Sequence, residues 1–245
     1  SNFDTQATAS VTIVDTALMT GLTHVGLSAS GADGDTTFAN MKSAVAAEMR
    51  NGSADLTLTY NATALAGAAD TQNLTVSALT AGTFTANGAE TIAVTTEVAA
   101  SSVKAITSDV LTTLSVAGNQ ALTVTDAITT NTVDASTLTG ALTIKAGANA
   151  AQKITGGTGN DSIDMNTNLG SGDTVAGGTG TDTLKVSVGN ATVALGTAVS
   201  KGSLFNVTGF EVIDIASTHD SAALDLTGVT GVTNVVAAAN QKTIT

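Results

Sequence analysis

The sequence predicts an all-β protein, a parallel β-solenoid of the β-roll or β-helix kind, with one short α-helix near residues 37–50. Three observations lead there. The first is the side-chain inventory: 245 residues without Cys, Pro or Trp, with 2% aromatics and 42% hydrophobics. Ala, Thr, Val, Leu and Gly suit a thin, repetitive core of β-branched side chains rather than a bulky one. The second is a rhythm of short strands. The third is a nine-residue phrase whose glycine-rich loop ends in Asp, written at 156–164 and again at 177–185, twenty-one residues apart.

Residues 1–53 read as N-terminal strands plus an amphipathic helix packed on the solenoid. In "DTTFANMKSAVAAEMRNG", Phe38, Met41, Val45 and Met49 fall at steps of three, four and four, one stripe of a helix. Asp35 or Thr37 serves as its N-cap and Asn51-Gly52 as its stop. Two acids sit just ahead of it, Asp33 and Asp35 in "SGADGDTTF", and read as a helix-leading turn rather than a cation loop. The chain has no initiating Met and is treated as a mature product or a piece of a longer one.

Residues 54–245 read as the solenoid. Strands such as "LTLTY", "TIAVT", "TLSVAG", "LTVTD" and "LTIKAG" carry apolar centres at Val116, Val124, Val133, Ile144, Ile154, Ile163, Val175 and Leu184, about ten residues apart on average. A sandwich would show longer strands, hairpin turns and large core aromatics. A solenoid needs small stacked residues and Gly/Asn/Asp turns, with two strands and two turns in a coil of about twenty residues. Asp126 and Asp134 then end strands as ordinary turn residues.

Alternate strands lie on one side, so Ile163 stacks under Leu184 one coil later. The turns 156–161 and 177–182 lie one above the other, and "MNT" at 165–167 forms a small bulge. The turn "NLGSGD" at 168–173, with Asp173, belongs to the opposite edge. Stacking brings Asp161 and Asp182 to within a coil spacing of ~4.8 Å. Two carboxylates held so call for a cation, and glycines let backbone carbonyls turn towards it. Six or seven hard oxygens at ~2.4 Å suit Ca2+; Mg2+ wants a smaller octahedron and Zn2+ wants His or Cys.

"GGTGNDSID" and "GGTGTDTLK" resemble the G-G-x-G-x-D-x-U-x nonapeptide of the repeats-in-toxin (RTX) β-roll, with Ile163 and Leu184 as U. The resemblance implies calcium-dependent folding after type I secretion. By motif position it implies ligands from the carbonyls of Gly157, Gly159, Gly178 and Gly180 and the side chains of Asp161 and Asp182. Asp173, with Leu169 and Ser171 where glycines would stand, implies at most a weaker site.

Two good copies inside a Thr/Ala-rich β protein resemble the type I-secreted bacterial S-layer proteins, as do "LFNVTGFEVIDI" at 204–215, "LTTLSVAGNQALTV" and "NTVDASTLTGALTIKAG". That likeness implies a structural protein of the bacterial cell surface. It would self-assemble through calcium into a lattice or homo-oligomer, anchored to cell-surface polysaccharide through a part outside this chain. An RTX adhesin, or the β-roll portion of a type I-secreted enzyme, is the alternative.

Other classes find little support. A net charge of −12 argues against nucleic acid and anionic membrane. No apolar run reaches the ~18 residues of a membrane span. The balance of 42% hydrophobic to 11% charged residues is wrong for disorder. Rigidity comes from something other than disulfides. No enzyme is expected: His24 and His219 are the only histidines, "THDS" at 218–221 sets its three polar groups on alternating faces, and Ser101/Lys104 stand without companion motifs. Glu211 in "GFEVID" is left open between ladder cap and cation ligand. An ice-binding face would need Thr-x-Thr in register; the copies at 57–59, 83–85, 123–125 and 243–245 are irregularly spaced. The N-x-S/T triplets at Asn51, Asn61, Asn73, Asn190 and Asn206 follow from Thr abundance.

Overall fold

The computed structural model describes residues 11–149, 151–170, 172–187, 206–215, 223–224, 230–237 and 243–244. The chain divides into two compact units, Ser1–Asp126 and Ala127–Thr245. The described elements are β-strands, and each unit is a parallel β-solenoid.

The first unit contains β1 (Thr12–Asp15), β2 (His24–Ser28), β3 (Thr36–Met41), β4 (Ala46–Arg50), β5 (Leu56–Tyr60), β6 (Thr71–Ser77), β7 (Thr83–Ala86), β8 (Thr91–Thr96), β9 (Ser101–Val103), β10 (Ala105–Thr107), β11 (Thr113–Gly118) and the greater part of β12 (Leu122–Ile128). One sheet runs β1-β3-β5-β7-β10 and another β2-β4-β6-β8-β11, while β9 pairs with β12. Neighbours in a sheet are a full coil apart along the chain. Identical positions therefore stack into columns, such as Val25, Ala47, Leu74, Val94 and Val116. Leu56, Phe84 and Ile106 form another.

The second unit contains β13 (Thr132–Leu138), β14 (Leu142–Ala146), β15 (Lys153–Thr155), β16 (Ser162–Asn166), β17 (Thr174–Ala176), β18 (Thr183–Val186), β19 (Val207–Thr208), β20 (Val212–Ile215), β21 (Ala223–Leu224), β22 (Asn234–Ala237) and β23 (Thr243–Ile244). Its strands order as β13-β15-β17-β19, β14-β16-β18-β20-β22 and β21-β23. The columns Val133–Ile154–Val175–Val207 and Ile144–Ile163–Leu184–Ile213–Val235 alternate members of the rhythm between two sheets, as the spacing predicts. All eight apolar centres from Val116 to Leu184 are buried. Each such Val, Ile or Leu contributes roughly 1.5–3 kcal/mol over its exposed state. The register of β16 on β18 shifts between Asp164 and Asn166, which is the bulge assigned to "MNT". Asn166 takes a φ of 45° there.

The expected helix at 37–50 is not a helix. Its residues form β3 and β4, joined by a bend over 42–45. Both strands have parallel partners on either side, β1 and β5 for β3 and β2 and β6 for β4. These ladders satisfy the backbone from both edges and bury Met41, Ala47 and Met49. The gain overrides the helix preference of Ala-rich "KSAVAAEMR", which amounts to only tenths of a kcal/mol per residue. The apolar steps of three and four arise because Phe38 and Met41 lie on one strand and Met49 on the next. Between them Asn40, at φ 60°, breaks the β3–β5 register.

Candidate metal centre

The centre lies in the second unit, in the turns that lead into β16 and β18. Ser162 pairs with Thr183 and Ile163 with Leu184, so Asp161 and Asp182 occupy the same register position on successive coils. Both are buried, at 1% and 0% exposure. The structure brings them into direct linkage: the Asp161 N–H donates to Asp182 Oδ1 at 2.7 Å.

The carboxylates are held chiefly by backbone. Asp161 Oδ1 accepts the Leu142 N–H at 2.7 Å and Oδ2 the Gly157 N–H at 2.6 Å. Asp182 in turn donates its N–H to Glu211 Oε2 at 2.8 Å. A column of acids thus runs Asp161, Asp182, Glu211, each accepting the N–H of the register-equivalent residue one coil earlier. Asp182 Oδ2 is different, because it is buried and has no hydrogen-bond partner. A buried anionic oxygen left so is costly unless a cation meets it.

The glycines admit this packing. A Cβ on Gly156 would strike the Gly177 carbonyl and Asp161 Oδ2; one on Gly177 would strike the Gly209 carbonyl and press on Asp182 Oδ2. Gly178 and Gly180 have φ of 110° and 136°, and side chains there would enter the carbonyls of Gly157 and Gly159. The Gly157 carbonyl also accepts the Thr179 N–H at 3.1 Å, within the coil-to-coil ladder. Of the anticipated carbonyl donors, those of Gly157 and Gly159 therefore face the loop stacked next to them. Sequence reasoning did not single out Gly177, whose carbonyl, like Asp161 Oδ2, crowds the position of a Cβ on Gly156.

Asp173 sits apart, before β17 on the other sheet, as its turn predicts. Its Oδ1 accepts the Gln152 N–H and its Oδ2 the Gly170 N–H, both at 2.7 Å, so it locks its own edge. Asp35 and Asp55 do likewise in the first unit, accepting the N–H groups of Asp55 and Thr83 at 2.8 and 2.7 Å. Glu90 accepts that of Asp70 at 2.8 Å. The common signal is an acid immediately before a strand, legible in "DTTF", "DLTL", "ETIAV", "DSID", "DTVA", "DTLK" and "EVIDI".

Burial pushes the Asp161 carboxyl above the ordinary aspartate range, opposed by the Leu142 and Gly157 N–H groups. Burial also raises Asp182; the Asp161 N–H opposes it, and the negative charges of Asp161 and Glu211 raise it further. Among the described residues no three His, Cys, Asp or Glu side chains converge on one point. A cation here would complete its shell with carbonyls. The donors are all hard oxygens, which fits Ca2+ and excludes a thiolate or imidazole site.

The residues weighed and set aside for catalysis are placed elsewhere. His24 Nε2 lies 3.3 Å from Glu48 Oε1, and Ser101 Oγ accepts the Leu79 N–H at 3.3 Å. His219, Asp220 and Ser221 lie outside the described residues. Comparison with family models, with curated proteins and with solved structures finds no match to this chain.

Proposed function

We propose that the chain is a structural, calcium-binding β-solenoid of the bacterial cell surface that self-assembles into an S-layer in the presence of Ca2+. The observation that carries the calcium step is the stacked Asp161–Asp182 pair, buried and in register, with Asp161 Oδ2 and the Gly177 carbonyl both crowding the open side of Gly156. Asp161, Asp182 and carbonyls of the two loops would hold the ion between coils. Its charge would offset the repulsion of an acidic column inside a protein of net charge −12. Metal binding and coil stacking are then one event, since neither loop alone supplies the donors. The lattice step and the extracellular location rest on the resemblance to secreted S-layer proteins.

Sedimentation velocity of the purified chain, titrated with Ca2+ from chelator, tests this. Growth from one species into large assemblies is the expected result. A more compact monomer without growth would retain the calcium solenoid and favour the adhesin or β-roll-fragment reading. No change at all would remove the calcium site.

A further inference from the structure

The two repeated loops are followed by a third that carries no G-G-x-G-x-D phrase. Residues 206–211, "NVTGFE", lead into β20, and Val212 pairs with Thr183, so Glu211 stands in register over Asp182. The local geometry of the first step recurs at the second. At Gly156, the next loop's Gly177 carbonyl and Asp161 Oδ2 crowd the position of a missing Cβ. At Gly177, the Gly209 carbonyl and Asp182 Oδ2 crowd the equivalent position. Gly177 also donates its N–H to the Thr208 carbonyl at 2.9 Å, just as Gly156 donates to Ala176 at 2.8 Å.

One difference separates the steps. Asp161 Oδ2 is satisfied by the Gly157 N–H. Gly178, the counterpart of Gly157, has a φ of 110°, and Asp182 Oδ2 is left buried without a partner. It and the Gly209 carbonyl face one point over the Gly177 α-carbon, with Glu211 bonded to the Asp182 backbone beside them.

We propose that a second divalent-cation position lies here, between loops 177–182 and 206–211, with Asp182 Oδ2, Glu211 and the Gly209 carbonyl as donors. A hard cation such as Ca2+ matches an all-oxygen set with two carboxylates. The proposal rests on the calcium reading of the first two loops and extends it to a coil outside the repeated phrase. Glu211 stands where the first two loops have Asp, and its Oε2 accepts the Asp182 N–H at 2.8 Å.

Calorimetric titration of the full, metal-free chain with CaCl2 tests it, using the unsubstituted chain, Glu211→Gln and Asp161→Asn. Glu211→Gln keeps a side-chain carbonyl that can accept the Asp182 N–H while losing the charge; Asp161→Asn loses the charge and keeps one acceptor for the two N–H groups of Leu142 and Gly157. Two binding events are expected for the unsubstituted chain. Glu211→Gln should lose one or weaken it about tenfold or more, since affinity follows ligand charge; Asp161→Asn should keep that one and lose the other. Unaltered stoichiometry and affinity in Glu211→Gln overturn this inference and leave the first site standing. No binding by the unsubstituted chain overturns both. Should Glu211→Gln fail to fold, amide exchange of the unsubstituted chain decides. Calcium slowing at 206–213 as well as 156–185 supports the second position, and slowing confined to 156–185 overturns it.

Discussion

Asp161 and Asp182 share a register position but not a set of duties. Asp161 satisfies two backbone N–H groups, Leu142 and Gly157, whereas Asp182 satisfies one, Asp161, and keeps an orphaned oxygen. Without metal, Asp161→Ala should therefore cost more stability than Asp182→Ala. Each buried N–H left without an acceptor costs about 1–3 kcal/mol, so the difference should show in urea denaturation under chelator. With calcium the order narrows, because Asp182→Ala also removes a ligand and weakens calcium binding. An Asp182→Ala chain with undiminished calcium affinity would sink the stacked-loop site. Acidity adds a signed prediction. The folded-state pKa of Asp182 is raised above the ordinary 3.8, so the folded chain binds more protons between the two values. The group's contribution is then most favourable below the unfolded value and is lost as pH rises through the folded one. Metal-free Asp182→Asn should match or exceed the unsubstituted chain's stability at about pH 7 and lose that advantage at about pH 4. Calcium stabilisation runs the opposite way and fades as these carboxyls protonate.

At the scale of the element, the strands from Val116 to Leu184 were legible because each offers one or two β-branched or Leu residues between Gly, Asn or Asp turns. Stacking then demands a common strand register, while the turns absorb unequal coil lengths, as from Ile144 to Ile163 and from Leu184 to Ile213. The turns at 156–161 and 177–182 were legible for the same reason. The pair β3–β4 was not, because a column contact such as Met49 with Leu27 and Val76 is a property of neighbouring coils that no local window contains. Glu90 and Glu211 were half legible: the acid-before-strand pattern is in the sequence, but its meaning as an acceptor for the adjacent coil requires the register. Two substitutions test this level. Met49→Ala should cost about 2–5 kcal/mol as a core truncation, whereas on a surface helix packed from outside the loss would be smaller. Gly178→Ala should destabilise by about 1–3 kcal/mol through its φ alone, with further loss from the Gly157 carbonyl. Both are read from denaturant midpoints.

For the whole molecule, calcium in the turns would add its binding energy to that of the apolar columns in a chain of net charge −12 without cysteine. Ligand linkage sets the scale: calcium at about a hundred times its dissociation constant would add about 2.7 kcal/mol per site. Hydrogen exchange should localise that gain. Amides of 153–187 should slow with calcium, while those of 24–60, whose turns Asp35 and Asp55 close without leaving a buried oxygen unpartnered, should hardly change. Uniform protection along the chain would contradict a metal confined to the second unit.

The acid column has a consequence for how such a chain can lengthen. In it every coil borrows its closing acceptor from the coil that follows: Leu142 from Asp161, Asp161 from Asp182, Asp182 from Glu211. A tandem duplication of residues 162–182 would insert a strand pair that brings its own terminal Asp, receives the backbone of the coil before it, and passes its own N–H to Glu211 as before. No donor is stranded, and the apolar columns gain one more member each. Deletion to the same boundaries likewise strands no backbone donor of the column, although it removes Asp182 and the loop before it, whereas a cut inside the repeat separates a strand from its acid. A change of length by one whole coil would therefore keep every acid-to-backbone bond of the column in place.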